Sequence, residues 1–402
     1  MNILYITTSY PPVFDMGTIR NKKIIDGLIS VKHNVTVLSA SISSSNSTED
    51  IVSSSLTEWR TKRPFFYRVK SKLENKSKIL LKVWNVLGGK FFFPDTFAFW
   101  SFTASKYLEK KNISKFDLVI SSSGSYLSHI LANKVSAKHS IPWFAYYGDP
   151  WSFNGFGKLN KLISFYEKKL LKKCSLIGLT TYETIECYKK LIQNMNHNIK
   201  LVYIPCGYDS INNVGSFPIN KPTITNIVYT GVAYSRDRNL TNTILAVNKS
   251  DNTKFTIVGS YSNKYQKIDV KPNTIEFLGR VDYKKSLDII SKANILLHIG
   301  NYGSLQIPGK TYSYLSSCKP ILYVRQEQGY DPTLELLKKF KGVYVVNNNV
   351  DEIQQRIRYI NNNYLKVLEE SKKRAFDVNL QFFSWDYISK IFNSEVNKLN
   401  IN

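Results

Sequence analysis

The sequence predicts an α/β fold: two doubly wound, Rossmann-like domains facing across a cleft. Three observations predict it. Short runs of Ile, Val, Leu and Tyr recur along the whole chain, with helical patterns between them, which is the βα repeat of a parallel sheet. The chain has 402 residues, too many for one ordinary core, so two domains of roughly 200 residues each are expected. The stretch 206–222, with Gly207, Gly215, Pro218 and Pro222, reads as a linker between two such series.

The first series opens with a buried strand over residues 2–8 and a turn at Ser9-Tyr10-Pro11-Pro12. Met16-Gly17-Thr18-Ile19-Arg20 leads into a helix carrying Ile24, Ile25, Leu28 and Ile29 at helical spacing. Asn34 to Leu38 is the second strand. This opening lacks G-x-G-x-x-G, so a classical dinucleotide site is not supported. The Ser-rich residues 41–57 read as a loop. Strands follow at Phe116–Ile120, Pro142–Tyr147, Leu176–Thr180 and Leu201–Pro205, with a very basic helix over 160–173.

The second series has strands at Ile227–Tyr229, Phe255–Val258, Ile275–Phe277, Ile295–Ile299, Ile321–Val324 and Val343–Val346, and ends in a long helical region. Ligands of doubly wound sheets bind outside the carboxyl ends of the strands. The stretch Ser304 to Pro320 lies between two of these strands and reads as strand, loop, helix N-terminus, helix, strand. Pro308 suits a first helical position, with Tyr312 and Leu315 on one face. Free N–H groups there face an anion, Gly309 permits close backbone approach, and Lys310 adds a charge. Gly309-Lys310-Thr311 is not the end of a P-loop, because the required earlier Gly position is Ser304.

Lys and Arg exceed Asp and Glu by 25, which favours anionic partners. Between residues 59 and 90 there are ten Lys or Arg and one acid, Glu74, interleaved with aromatics. This composition suits an interfacial helix on anionic lipid, with Trp59, Arg63, Phe65 and Phe66 as contacts. It is also compatible with single-stranded nucleic acid or with a solvated basic face over a core. The four cysteines form no C-x-x-C pair, so a reducing compartment fits. No signal peptide or membrane-spanning run is expected, which points to a soluble or peripheral protein.

Several pieces together resemble the family-4 retaining glycosyltransferases of GT-B fold, in the bacterial branch that builds capsular and lipopolysaccharide sugars. They are Ser9-Tyr10-Pro11-Pro12 with Gly17 and Arg20; Tyr146 to Trp151; and Ile204-Pro205-Cys206-Gly207-Tyr208-Asp209. In the second half they are Tyr229-Thr230-Gly231 with Arg236 and Arg238, Phe277-Leu278-Gly279, Ile307 to Tyr312, and Phe383-Ser384-Trp385. The resemblance implies domains 1–208 for the acceptor and 209–383 for the donor, with the terminal helix 384–402 packing back on the first.

It further implies an enzyme that transfers a hexose or N-acetylhexosamine, with retained configuration, from a UDP-sugar or GDP-sugar to a lipid-linked or saccharide acceptor. That places it in surface polysaccharide synthesis, on the cytoplasmic face of an anionic membrane, with segment 59–93 and helix 160–173 holding the first domain against the lipid and no nucleic-acid partner. No cofactor is implied; the chain has no Asp-x-Asp, so a metal clamp on the diphosphate has no visible ligands. A leaving diphosphate would instead rest on backbone amides and cations. On this reading Asp149, Arg238 and Lys310 are catalytic. Gly17, Gly231, Arg236, Gly259, Gly279, Pro308, Gly309, Thr311 and Ser313 bind the donor, and Arg20 and Trp151 lie on the acceptor side.

One departure stands out. The family has two glutamates eight positions apart, the second binding ribose hydroxyls, and Leu305 and Ser313 occupy those positions here. A neutral acceptor in place of an ionised one weakens binding by about 1–2 kcal/mol. An inactive scaffold of the same fold in a polysaccharide assembly is therefore the alternative.

Overall fold

A computed structural model describes residues 1–12, 15–40, 49–62, 98–153, 159–195, 199–209, 221–233, 238–301, 304–326 and 329–399. The chain divides into two units. One comprises Met1–Asn154, Lys158–Pro205 and Ile388–Asn402, and the other includes Cys206–Tyr387.

The sheet of the first unit contains β1 (Asn2–Thr7), β2 (Asn34–Ala40), β3 (Glu49–Val52), β4 (Leu56–Thr61), β5 (Leu118–Ser122), β6 (Trp143–Tyr147), β7 (Leu176–Leu179) and β8 (Lys200–Tyr203). Its order is β3-β4-β2-β1-β5-β6-β7-β8. Every pairing is parallel except β3 with β4. The central strands are buried along nearly their whole length, as parallel strands covered on both faces must be, and hence they read as apolar runs. Helices α1 (Met16–Ser30), α2 (Ala98–Leu108), α3 (Leu127–His139), α4 (Lys161–Leu171) and α5 (Tyr182–Ile192) belong to this unit.

Two sequence expectations are corrected here. Part of the Ser-rich stretch is not loop: β3 and β4 form an edge hairpin, with β4 parallel to β2 from Val35↔Leu56 onward. Strands at the margin of a sheet are held by backbone ladders and need one covered face, so Glu-Asp-Ile-Val at the edge and Leu-Thr-Glu-Trp-Arg-Thr beside it carry no buried-strand signature. Trp59 does not face lipid. It lies on β4, is 4% exposed, and packs edge-on at 5.8 Å against both Tyr107 and Phe116. Lys111 and Lys115 sit over its ring at 5.2 and 5.7 Å, so the basic–aromatic pairing at Trp59 is core and rim. Arg63, Phe65 and Phe66 lie outside the described residues, as does the rest of that stretch to residue 97.

The second unit holds β9 (Thr225–Thr230), β10 (Thr253–Val258), β11 (Ile275–Gly279), β12 (Ile295–Ile299), β13 (Ile321–Arg325) and β14 (Val343–Asn347). All are parallel, in the order β11-β10-β9-β12-β13-β14. Its helices are α6 (Thr241–Asn248), α7 (Tyr283–Lys292), α8 (Lys310–Ser316), α9 (Pro332–Leu337), α10 (Val350–Asn362) and α11 (Tyr364–Ala375).

In both sheets the winding direction reverses beside the first strand, between β1 and β5 and between β9 and β12. A crevice for ligand opens at such a reversal, at the carboxyl ends of the strands. The final helix, α12 (Trp385–Lys398), starts in the second unit and joins the first from Ile388. There Phe392 stacks on Phe144 at 4.7 Å, Asn393 meets His33 Nε2 at 2.8 Å, and Glu395 pairs with Lys200 at 2.5 Å. Among the described residues no helix is long and apolar enough to cross a membrane.

Candidate functional site

In the second unit the chain leaves β9 through Gly231, whose φ of +119° suits glycine alone. Gly259, after β10, has φ +120°, and a Cβ there would stand 2.0 Å from the carbonyl oxygen of Gly231. The two strand ends are therefore pressed together as bare backbone. Gly279 ends β11 at φ +66°, and its carbonyl accepts from Gly259 N at 2.6 Å.

The loop after β12 enters this space. Helix α8 begins at Lys310 with Gly309 as its N-cap, so Pro308 precedes the helix by two residues rather than opening it. Lys310 Nζ donates to Thr230 O at 3.1 Å and lies 3.7 Å from the centre of the Tyr229 ring. Arg238 reaches the same strand end: its Nε donates to Asn301 Oδ1 at 2.6 Å and its Nη1 to Val232 O at 3.4 Å. Both cations thus rest on neutral oxygens. Burial pushes the Lys310 ammonium well below the usual lysine range, and the Arg238 charge adds to the push. Two cations held together at a cost, above glycine backbone, form a place for an anion.

The layer beneath is polar and ordered. Tyr314 OH accepts from Thr230 N at 2.9 Å, and His298 Nε2 lies 2.9 Å from Thr311 Oγ1. Thr311 is fully buried, so its side chain positions His298 from below; it does not face a ligand. His298 is held neutral by burial and by the nearby Lys310 and Arg238 charges. His298 is a site residue beyond those expected from the sequence, where a lone His inside the apolar run Ile295–Ile299 is its only signal.

Helix α8 is fixed at its far end by the buried Arg374. Its guanidinium donates to Leu315 O at 3.0 Å, a carbonyl that the helix end leaves orphaned, and to Ser317 O at 2.7 Å, Lys319 O at 2.6 Å and Gly342 O at 3.0 Å in the chain that follows and beside it. Burial lowers even this arginine to about 9.

Ser313, one turn into α8, is half-buried. Its hydroxyl is within hydrogen-bonding reach of the Tyr283 phenol, which donates to Asp209 Oδ2 at 3.3 Å. The Tyr283 phenol thus links Ser313 to the Asp209 carboxylate. Arg236 lies outside the described residues.

In the first unit, Asn21 ties the loop after β1 to α1: its Nδ2 donates to Thr7 Oγ1 at 2.9 Å and to Ser9 O at 2.7 Å. Gly17 lies against Ser9, where a Cβ would come within 3.1 Å of the serine side chain. Arg20, expected on the acceptor side, is buried. It is 7% exposed, donates to Ser123 O at 3.3 Å, and its guanidinium lies under Gly148 and 5.1 Å from the Tyr146 ring centre. Gly148 N donates to Ser123 Oγ at 2.7 Å, joining the ends of β5 and β6. Trp151 is likewise buried, stacked on Tyr126 at 5.0 Å, and supports the loop without offering a platform. Asp149 projects beside them into solvent.

The structure therefore groups Gly231, Gly259, Lys310 and Arg238 in the second unit, with Ser313 further along α8. It groups Gly17, Arg20 and Asp149 near the reversal of the first sheet.

No family model matches the sequence, and no curated protein is similar to it. Solved structures are. Sucrose-phosphate synthase from Thermosynechococcus elongatus superposes with a TM-score of 0.69 at 12% identity, covering 99% of this chain and 98% of the other. A trehalose-6-phosphate synthase from E. coli bound with UDP-2-fluoro glucose gives 0.68 at 11%, covering 100% and 99%. Anabaena HepE in complex with UDP and glucose gives 0.63 at 12%, covering 99% and 100%. The fold is the GT-B fold of these glycosyltransferases. At such identities the likeness is one of fold.

Proposed function

We propose that this chain transfers a sugar, with retained configuration, from a UDP-sugar or GDP-sugar to a saccharide or lipid-linked acceptor in surface polysaccharide synthesis. The observation that carries the reading is the Lys310–Arg238 pair above Gly231 and Gly259. A leaving nucleoside diphosphate gains negative charge, and preformed cations beside bare backbone stabilise that charge at little reorganisation cost. Neutral His298, with Thr311 and Tyr314, holds the floor of this site and keeps Lys310 aimed at it. The UDP and glucose named for similar structures favour a UDP-sugar over a GDP-sugar. In the first unit we assign the exposed Asp149 to the acceptor side. The excess of 25 positive charges suits a peripheral position on the cytoplasmic face of an anionic membrane.

Titration calorimetry with UDP, followed by a donor-hydrolysis screen, tests the reading. UDP binds the wild type, and Arg238→Ala abolishes turnover. Turnover that survives Arg238→Ala refutes the site assignment. A second reading, an inactive scaffold, is favoured by Ser313 and predicts that neither UDP nor GDP binds.

A further inference from the structure

Helix α4 is apolar on two sides. Its inner side buries Ser164, Leu170 and Leu171, together with Glu167, which accepts from Ser152 N at 2.9 Å and Tyr188 OH at 2.7 Å. Its outer side should then be polar. Instead Leu162, Phe165 and Tyr166, spaced i, i+3 and i+4, stand 64%, 56% and 46% exposed, and Leu159 just before the helix is 49% exposed.

Lysines surround this ridge. Residues 161–173 hold five lysines and one acid, and that acid is the inward Glu167. The outer surface of the helix therefore carries positive charge alone. The Lys169 ammonium lies over the Phe165 ring, 4.7 Å from its centre, so charge and aromatic surface meet on the same outer face.

A convex apolar ridge with aromatics at its crest and ammonium groups on its flanks has the chemistry of an interfacial helix. The rings reach the acyl boundary while the lysines meet headgroup phosphates. An acidic protein partner would satisfy the lysines but would not call for three large apolar side chains facing outward between them.

We propose that the outer face of α4, led by Leu162, Phe165 and Tyr166, docks this chain on an anionic bilayer surface. The docking needs no part of residues 63–97. It rests on the membrane component of the proposed function and is independent of the donor site, so vesicle binding and UDP binding fail separately.

Flotation of the purified full chain with phosphatidylcholine vesicles, with and without phosphatidylglycerol, tests it. The wild type floats with the phosphatidylglycerol vesicles and stays behind with phosphatidylcholine alone. Leu162→Ser/Phe165→Ser lowers the partition coefficient at least tenfold at unchanged circular dichroism. Lys168→Gln/Lys169→Gln, which leaves the ridge intact, lowers it about 25-fold, from about 1 kcal/mol per lysine at an anionic surface and about 1.4 kcal/mol per tenfold. A wild type that ignores phosphatidylglycerol overturns the proposal, as does an unchanged partition coefficient in both variants. Loss of a dimer in light scattering with unchanged flotation also overturns it, since a second copy would then own the face.

Discussion

Replacing Lys310 by Met should separate function from stability, because the side chain is held at a cost. The ammonium sits 3.1 Å from Thr230 O and 3.7 Å from the Tyr229 ring centre, beside the Arg238 charge. A charge-assisted hydrogen bond to phosphate contributes about 1.5–3 kcal/mol, so Lys310→Met should weaken UDP binding roughly 10- to 150-fold. Without ligand the same change removes a partly desolvated charge and inserts an apolar side chain of similar length. Such replacements are neutral or stabilising by about 1–4 kcal/mol, so the thermal midpoint of the unliganded protein should hold or rise.

The pH dependence has a definite sign. The folded lysine binds its proton less tightly than the unfolded one, so unfolded chains hold more protons between the depressed value and the ordinary 10.5. The stability penalty is fully present below the depressed pKa and is relieved as pH rises toward 10.5. A bound diphosphate reverses the shift, so UDP binding takes up a proton and weakens as pH rises through the depressed pKa. Calorimetry in buffers of different ionisation enthalpy reads the proton uptake directly. Binding without proton uptake, together with unchanged affinity in Lys310→Met, would refute the assignment of Lys310 to the diphosphate.

Three further outcomes follow from the packing. Gly259→Ala places a methyl 2.0 Å from the Gly231 carbonyl at φ +120°, and should destabilise the second unit by about 2–4 kcal/mol and remove UDP binding; denaturant titration and calorimetry check both. Arg374→Met leaves the carbonyls of Leu315, Ser317 and Lys319 without their donor and should cost about 3 kcal/mol in urea unfolding. Trp59→Ala should cost about 3–5 kcal/mol in the same assay while leaving vesicle flotation unchanged, because Trp59 is core.

Burial is what made the fold readable from the chain. Parallel strands covered on both faces must be apolar throughout, so Ile3–Ile6, Ile295–Ile299 and the other central strands were legible, and with them two doubly wound sheets. The loop before Lys310 was legible for a related reason, since Pro308 and Gly309 are residues that only particular backbone geometries require. Strand β3 at the sheet edge and β4 beside it were hidden, because backbone pairing at the margin of a sheet leaves no continuous apolar signature.

The roles of single side chains belonged to tertiary structure. Trp59 looked like a surface contact by composition, yet it is buried, as are Arg20 and Trp151, because burial depends on what other segments bring to the same place. Phe116 and Tyr107 close over Trp59, Gly148 makes room for the Arg20 guanidinium, and Tyr126 covers Trp151. Lys310 and Arg238, 72 positions apart (310 − 238), become one cationic site only when β9 and β12 lie side by side. The sequence determined that the chain would form two such sheets and place a Gly-Lys loop at a strand end. Which charges meet there, and at what cost, was decided by the fold, since electrostatic cost depends on distance and burial that spacing along a chain does not set.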